Sequence, residues 1–163
     1  MKKDAVERKA EILRVSEKLF REKGFENTKI SDILVETGLS KGGFYHYFKS
    51  KDDIVLDLYK EFNREIISKL KKITESENSA LKKMKDYVII SREMAKSQFY
   101  LMELFLDSAN NKNVLDKAFN ESQKEVITLL ESIISQGNEE GDFKVKNIKE
   151  NLYFLSKLEI SLY

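Results

Sequence analysis

Residues 24–54 read GFENTKISDILVETGLSKGGFYHYFKSKDDI, and the punctuation of this stretch decides the fold. Thr28 is a good N-cap for a short helix. Ile30, Ile33, Leu34 and Thr37 then recur at helical spacing, and Gly38 stops the run. Only Gly38-Leu39-Ser40 separates it from a further helix, which Ser40 caps. Two short helices joined by a tight glycine turn are the helix-turn-helix signature. Ser50 then opens a long helix with SKDDI, a capping residue with an acidic one three positions on.

The helix after Ser40 is poorly built in isolation. Gly42 and Gly43 each cost about 1 kcal/mol relative to alanine in a helix interior. Phe44, Tyr45, Tyr47 and Phe48 crowd around His46, the only histidine in the chain. Phe44 and Phe48 are four apart and share a face, so they are expected to plug this helix into its two predecessors. Tyr45, His46 and Tyr47 then face outward. Phenol and imidazole groups suit phosphate oxygens and thymine methyls in a major groove. The glycine pair has no side chain to hold another backbone away, and the free N–H groups of a helix start favour phosphate. Lys41 can reach a base edge or a phosphate. Lys51 places a cation at the start of the long helix, and Thr28 and Lys29 stand at the start of the earlier short one.

Outward from this segment the chain reads as helices throughout. A first helix over about 4–23 places Ala10, Leu13, Ser16, Leu19 and Phe20 on one face, with Ile12 and Val15 beside it, and stops at Lys23-Gly24. The helix from Ser50 carries an apolar row, Val55, Tyr59, Phe62, Ile66, Leu70 and Ile73, with a polar loop over 75–79. A fifth helix takes Leu81, Met84, Val88 and Ala95 on one face. A separate sixth segment, FYLMELFLDSA at 99–109, is apolar nearly all round and should be buried. NNKN at 110–113 reads as a turn, Val114 to about Gln136 as one long helix, and GNEEGD as its end. Ile148, Leu152, Leu155, Leu158 and Leu162 mark a last helix. No repeat and no period-two strand interrupts this pattern.

Composition narrows the function. The 163 residues contain no Cys, one His and no Pro. Disulfides, thiolate catalysis and multi-histidine metal sites are excluded; composition leaves an all-carboxylate Mg²⁺ or Ca²⁺ site open, but no calcium-loop spacing occurs, and no metal or cofactor is expected. The charged N-terminus lacks the apolar stretch of a signal peptide, and no apolar run approaches 18 residues. A soluble, cytoplasmic protein without a membrane partner is expected. Residues 1–51 carry a net charge of +4 and residues 52–163 one of −3, against +1 for the whole chain. A basic front end suits a polyanion. Glu93 and Glu103, the carboxylates flanking the most apolar stretch, are ten residues apart and make no convincing acid/base pair, so an enzyme is not expected.

The 24–54 segment resembles the DNA-binding domain of the tetracycline-repressor (TetR) family of bacterial transcription regulators. Gly24 with its following aromatic, Thr28, Ile33, Gly38, Ser40-Lys41-Gly42, Tyr45, the YF at 47–48 and the SK at 50–51 carry the resemblance. It implies an all-α chain, with a three-helix helix-turn-helix DNA-binding domain over 1–50 and a helical effector-binding and dimerisation domain over 51–163. It further implies that Tyr45 and Lys51 bind phosphates, and that Lys41, Gly43, His46 and Tyr47 face bases or phosphates. Thr28 and Lys29 would sit where the second helix meets the DNA backbone, and Ser40 and Gly42 complete the set. Leu34 and Thr37 stand where small alanines are usual, and Gly43 where threonine is common.

The implied function is a sequence-specific transcription regulator, a homodimeric repressor that a small hydrophobic effector releases from its double-stranded operator. The alternative is a DNA-binding regulator controlled by a protein partner. Met84, Met94, Phe99, Tyr100, Met102, Phe105 and Phe119 are the candidate effector-pocket walls. The rows Val126, Leu130, Ile133, Ile134 and Leu152, Leu155, Leu158 are the candidate dimer face, since such rows exposed on a monomer are a liability. The resemblance also implies one more helix after the last one seen, so either it is missing or the dimer is built from the final two helices alone.

Overall fold

The computed structural model describes residues 4–107 and 112–161, with the side chains at 94–99, 102–103, 105–107, 112–119 and 155–161 left aside. The described residues form seven helices and no strand: α1 Ala5–Lys23, α2 Ile30–Thr37, α3 Lys41–Tyr45, α4 Lys51–Thr74, α5 Ala80–Asp107, α6 Lys112–Glu140 and α7 Ile148–Ser161. The chain divides into two compact units. One comprises Met1–Glu61 with Phe99–Leu115, the other Phe62–Gln98 with Asp116–Tyr163.

In the first unit, the Asp4 carboxylate accepts the Glu7 N–H at 2.8 Å and starts α1. Gly24, at φ +81°, ends it after the basic Arg21 and Lys23. The buried face of α1 is Ile12, Leu13, Ser16, Leu19 and Phe20. Ala10 is exposed, so the stripe is centred on Ile12 and not on the line expected through residue 10. The Ser16 hydroxyl is fully buried and has no hydrogen-bond partner among the described residues.

Gly38 closes α2 in the left-handed region at φ +65°. Ser50 caps the α4 start by accepting the Asp53 N–H at 3.2 Å, and the Asp53 carboxylate reaches back to the Lys49 N–H at 2.8 Å. The Ser50 cap expected from SKDDI is thus formed, while the acidic residue three positions on reaches one residue further back than a capping box would, to Lys49. Ile54, Val55, Leu58 and Tyr59 of α4 are buried. Lys9 of α1 pairs with Asp57 of α4 at 2.5 Å.

Three readings of helix limits and faces are corrected. The fifth and sixth helices are one helix, α5, because no glycine or proline interrupts residues 80–107 and a change in apolar pattern does not break a backbone ladder. α6 runs through Gly137 to Glu140 and ends at Gly141, which takes φ +83°. Leu81 and Val88, expected on the inner face of α5, are exposed at 44% and 39%.

The core of the second unit joins Leu70, Ala80 and Ile133, with Ile73, Met84, Tyr87, Val126, Leu129 and Phe143 packed against them. Polar ties close its end. The buried Lys83 donates to the Thr74 carbonyl and to Gln136 Oε1, each at 2.8 Å. The Glu140 carboxylate accepts the Ala80 N–H at 2.8 Å, at the positive end of the α5 dipole. That bond, together with the Gln136 amide and the Lys83 charge, holds the Glu140 carboxyl below its ordinary pKa despite partial desolvation. A depressed carboxyl contributes stability above its unfolded pKa, about 4.3, and loses it as the pH falls through the lower folded value. Acid titration of the melting temperature should therefore fall less steeply below about pH 4.3 for Glu140→Gln than for the parent. Equal slopes would remove Glu140 from the acid response.

Candidate nucleic-acid interface

The candidate interface is built on α3, five residues long with glycine at two of them. Such a helix cannot hold itself, since nucleation is unfavourable and short helices are marginal in water. Its start is capped: Ser40 Oγ accepts the Gly43 N–H at 3.1 Å. Its inner side is anchored by Phe44 and Phe48, exposed at 0% and 2%, with ring centroids 6.1 Å apart. Beyond Tyr45 the backbone tightens, the Tyr47 N–H bonding to the Phe44 carbonyl at 2.9 Å.

Anchoring these two rings forces their neighbours outward. Tyr45 is 43% exposed and stands edge-on to Phe44 at 5.6 Å. His46 is exposed, and Tyr47, half-buried, meets its ring edge-on at 5.1 Å. Lys41 and Gly42 are exposed. A Cβ placed on Gly42 would meet nothing within 4 Å, whereas one on Gly43 would touch Ser40 Oγ at 3.3 Å and Leu39 Cδ2 at 3.5 Å. Neither glycine takes a positive φ, so the backbone conformation does not require them.

At the start of α2 the structure separates two residues that the sequence grouped. Lys29 occupies the N-cap position and is exposed, its N–H donating to Asp32 Oδ2 at 3.1 Å. This bond is the main reason that the Asp32 carboxyl sits below its ordinary pKa. Thr28 is neither a cap nor a surface contact. It is 1% exposed, and its hydroxyl donates to the Gly24 and Leu19 carbonyls at 2.8 and 3.2 Å, tying the loop to the end of α1. The candidate DNA contact at Thr28 is withdrawn on that burial. Lys51 is half-buried, and its ammonium donates to the Phe25 carbonyl at 2.6 Å and lies 4.3 Å from the Phe25 ring centroid. Sequence reasoning missed the role of Phe25; the glycine-aromatic pair at 24–25 was its only local signal.

The remaining candidates divide. Met84 packs into the second unit's core. Tyr100 belongs to the first unit, where the Arg21 guanidinium lies 3.7 Å from its ring centroid and its hydroxyl donates to the Glu17 carbonyl at 3.4 Å. The structure thus engages these two pocket candidates in separate places, because an apolar or aromatic residue fits a core or a cation as well as a ligand. Met94, Phe99, Met102, Phe105 and Phe119 lie outside the described side chains, as do Leu155 and Leu158. Leu130 and Ile133, placed on the dimer face, are 8% and 0% exposed within the single chain and are corrected to its own core. Val126, Ile134 and Leu152 are half-buried.

Residues 12–58, which run from Ile12 in α1 through α2 and α3 to the first two turns of α4, match the family model for bacterial regulatory proteins of the tetR family. The chain is 30% identical over 136 residues to the HTH-type transcriptional regulator in the lacX 3' region of Lactococcus lactis subsp. lactis, covering 77% of this chain and 69% of that one. This chain belongs to the TetR family. It is similar to other members as well. It is 25% identical over 139 residues to the HTH-type transcriptional repressor KstR2 of Mycolicibacterium smegmatis, covering 84% and 68% of the two chains. A crystal structure of a TetR-family transcriptional regulator from Syntrophomonas wolfei superposes with a TM-score of 0.70 at 26% identity, over 96% of this chain and 81% of that one. As a TetR-family chain the protein is a transcription regulator and not an enzyme. No helix among the described residues is long and apolar enough to cross a membrane.

Proposed function

We propose that this TetR-family chain binds duplex DNA sequence-specifically as a homodimeric repressor, reading the major groove with α3, and that a small hydrophobic effector releases it. The observation that carries the DNA reading is the division of α3 into a buried side, Phe44 and Phe48, and an open side where Tyr45 and His46 lie next to a bare Gly42 backbone. Lys29, Ser40, Lys41, Gly43, Tyr47 and Lys51 complete the contact set. Exposed Tyr153 and Phe154 on α7 support a partner face there. The repressor mode rests on the resemblance to KstR2 and the effector on the Met- and Phe-rich stretch from Met84 to Phe119.

Selection of bound duplexes from a random pool tests this. It should return two related half-sites with centres about 10–10.5 base pairs apart, or a multiple, as a two-fold pair of reading helices demands. No enrichment would end the DNA reading, and a single half-site would end the dimer. A hydrophobic compound that raises the melting temperature must also release DNA.

Gly42 gives a sharper test, because stability and affinity should move oppositely. Gly42→Ala meets empty space in the free protein and relieves a helical glycine, so stability should rise by about 0.5–1 kcal/mol. The same methyl would stand between two backbones in the complex, and the dissociation constant should rise about tenfold, roughly 1.4 kcal/mol. Raised stability with unchanged affinity would exclude close approach at this position.

A further inference from the structure

His46, the chain's one histidine, closes α3 and is exposed, two residues from each of the buried Phe44 and Phe48. Its N–H donates to the Gly42 carbonyl at 3.1 Å, so the ring stands one turn beyond a residue that has no side chain. The Tyr47 ring meets it edge-on at 5.1 Å. No acidic residue occurs from Thr37 to Lys51, whereas Lys41, Lys49 and Lys51 all fall within that stretch. The carboxylates nearest along the chain are Glu36, exposed in the last turn of α2, and Asp52 and Asp53 in the first turn of α4. Asp53 accepts the Lys49 N–H at 2.8 Å. Among the described residues, none of the three forms an ion pair with His46. The ring thus sits on the open side of α3, among cations, with no counter-ion from its own chain.

We propose that DNA binding by this chain is coupled to proton uptake, His46 docking as an imidazolium against a phosphate of the duplex. The proposal rests on the DNA reading above. A neutral imidazole has one N–H and one bare nitrogen; when the bare nitrogen takes a proton from solvent, the ring donates from both and carries a charge. Imidazole chemistry of this kind operates near neutral pH. An anion within hydrogen-bonding reach favours the charged form. The coupling is reciprocal: whatever factor the duplex adds to the hold on the proton, the proton adds to the affinity for the duplex. Affinity is therefore greatest on the acid side of neutrality and is lost as the pH rises.

Anisotropy with a duplex recovered by the selection above tests the coupling. From about pH 6 to about pH 8 the affinity should fall about fivefold per protomer. At the lower pH the slope of log K against log salt should be steeper, by up to about 0.9 per protomer, for the added phosphate contact. His46→Gln keeps an N–H donor but cannot titrate in this range, and it should lose the pH dependence. Binding by the parent that does not change with pH would overturn the proposal, as would an unchanged salt slope or a pH dependence that survives undiminished in His46→Gln. A parent that binds no duplex at either pH would end the DNA reading, and the coupling with it. Proton NMR on the parent gives a second answer without mutation, since a single histidine assigns its own ring signals. Their titration midpoint should move to higher pH when the duplex is bound, and an unmoved midpoint would refute proton uptake at His46.

Discussion

Phe44→Ala should abolish DNA binding and melt the helix-turn-helix head, the region of α1–α3. Phe44 is completely buried, and α3 has little else to hold it in place. Its glycines cost about 1 kcal/mol each against alanine, its five residues are too few to nucleate a helix, and Ser40 supplies one capping bond. The two phenylalanine anchors must therefore outweigh a local preference for coil. Truncating a buried phenylalanine to alanine costs about 3–5 kcal/mol. Whole domains are stable by about 5–15 kcal/mol, so a large share of the margin would go. Thermal melting by circular dichroism and duplex binding by anisotropy should both register the loss. A variant that melts like the parent and still binds would mean that something other than Phe44 holds the reading helix.

Gly137→Ala should destabilise the second unit although helix propensity favours it. In the interior of α6, alanine is better than glycine by about 1 kcal/mol. Here, however, a Cβ would fall 2.0, 2.4 and 2.7 Å from three carbons of the Phe143 ring. The ring has little room to retreat. The Phe143 N–H is bonded to the Gly137 carbonyl at 2.9 Å, and the next turn of chain is held by paired bonds between Asn138 and Val145 at 2.8 and 3.0 Å. Overpacking of this kind costs about 1–3 kcal/mol, and expelling the ring would strip Phe143 from the Leu70–Ala80–Ile133 core. Sterics should win, with a net loss of up to about 2 kcal/mol. Gly137→Ala combined with Phe143→Ala should recover the propensity gain relative to Phe143→Ala alone. A destabilisation that persists without the ring would locate the cause elsewhere.

The features readable in the sequence arose from local rules. Gly24, Gly38, Ser40 and Ser50 punctuate helices through their own side chains or backbone, so the helix-turn-helix and the start of α4 stood where the residues placed them. The four-residue spacing of Phe44 and Phe48 was likewise sufficient to separate the buried side of α3 from the open one. Errors arose where a distant group decides. Thr28 has the chemistry of a cap, but its hydroxyl goes to Leu19, nine residues back, and its burial removes it from any surface role. The tie of Lys51 to Phe25 was not legible either, because it depends on how the loop folds back. A periodic row such as Leu130 and Ile133 states that something apolar covers it; it does not state whether that cover is the chain's own core or a second copy. Gly137 looked like a terminator because glycine usually is one, and its use as a seat for Phe143 needed the loop over 141–147 to be in place.

The course of α4 bears on how such regulators are recombined. A chimera that joins this head to another C-terminal unit invites a seam at residue 50, where the candidate reading segment stops. That cut would discard Lys51 and its hold on Phe25, Asp57 and its pairing with Lys9, and the buried Ile54, Val55 and Leu58. The transplanted part needs α4 through Glu61, where the first compact unit leaves this helix. The splice then falls inside a continuous helix, and every residue added or removed there turns the downstream half by about 100° around the axis. A donor that matches α4 residue for residue leaves that turn unchanged.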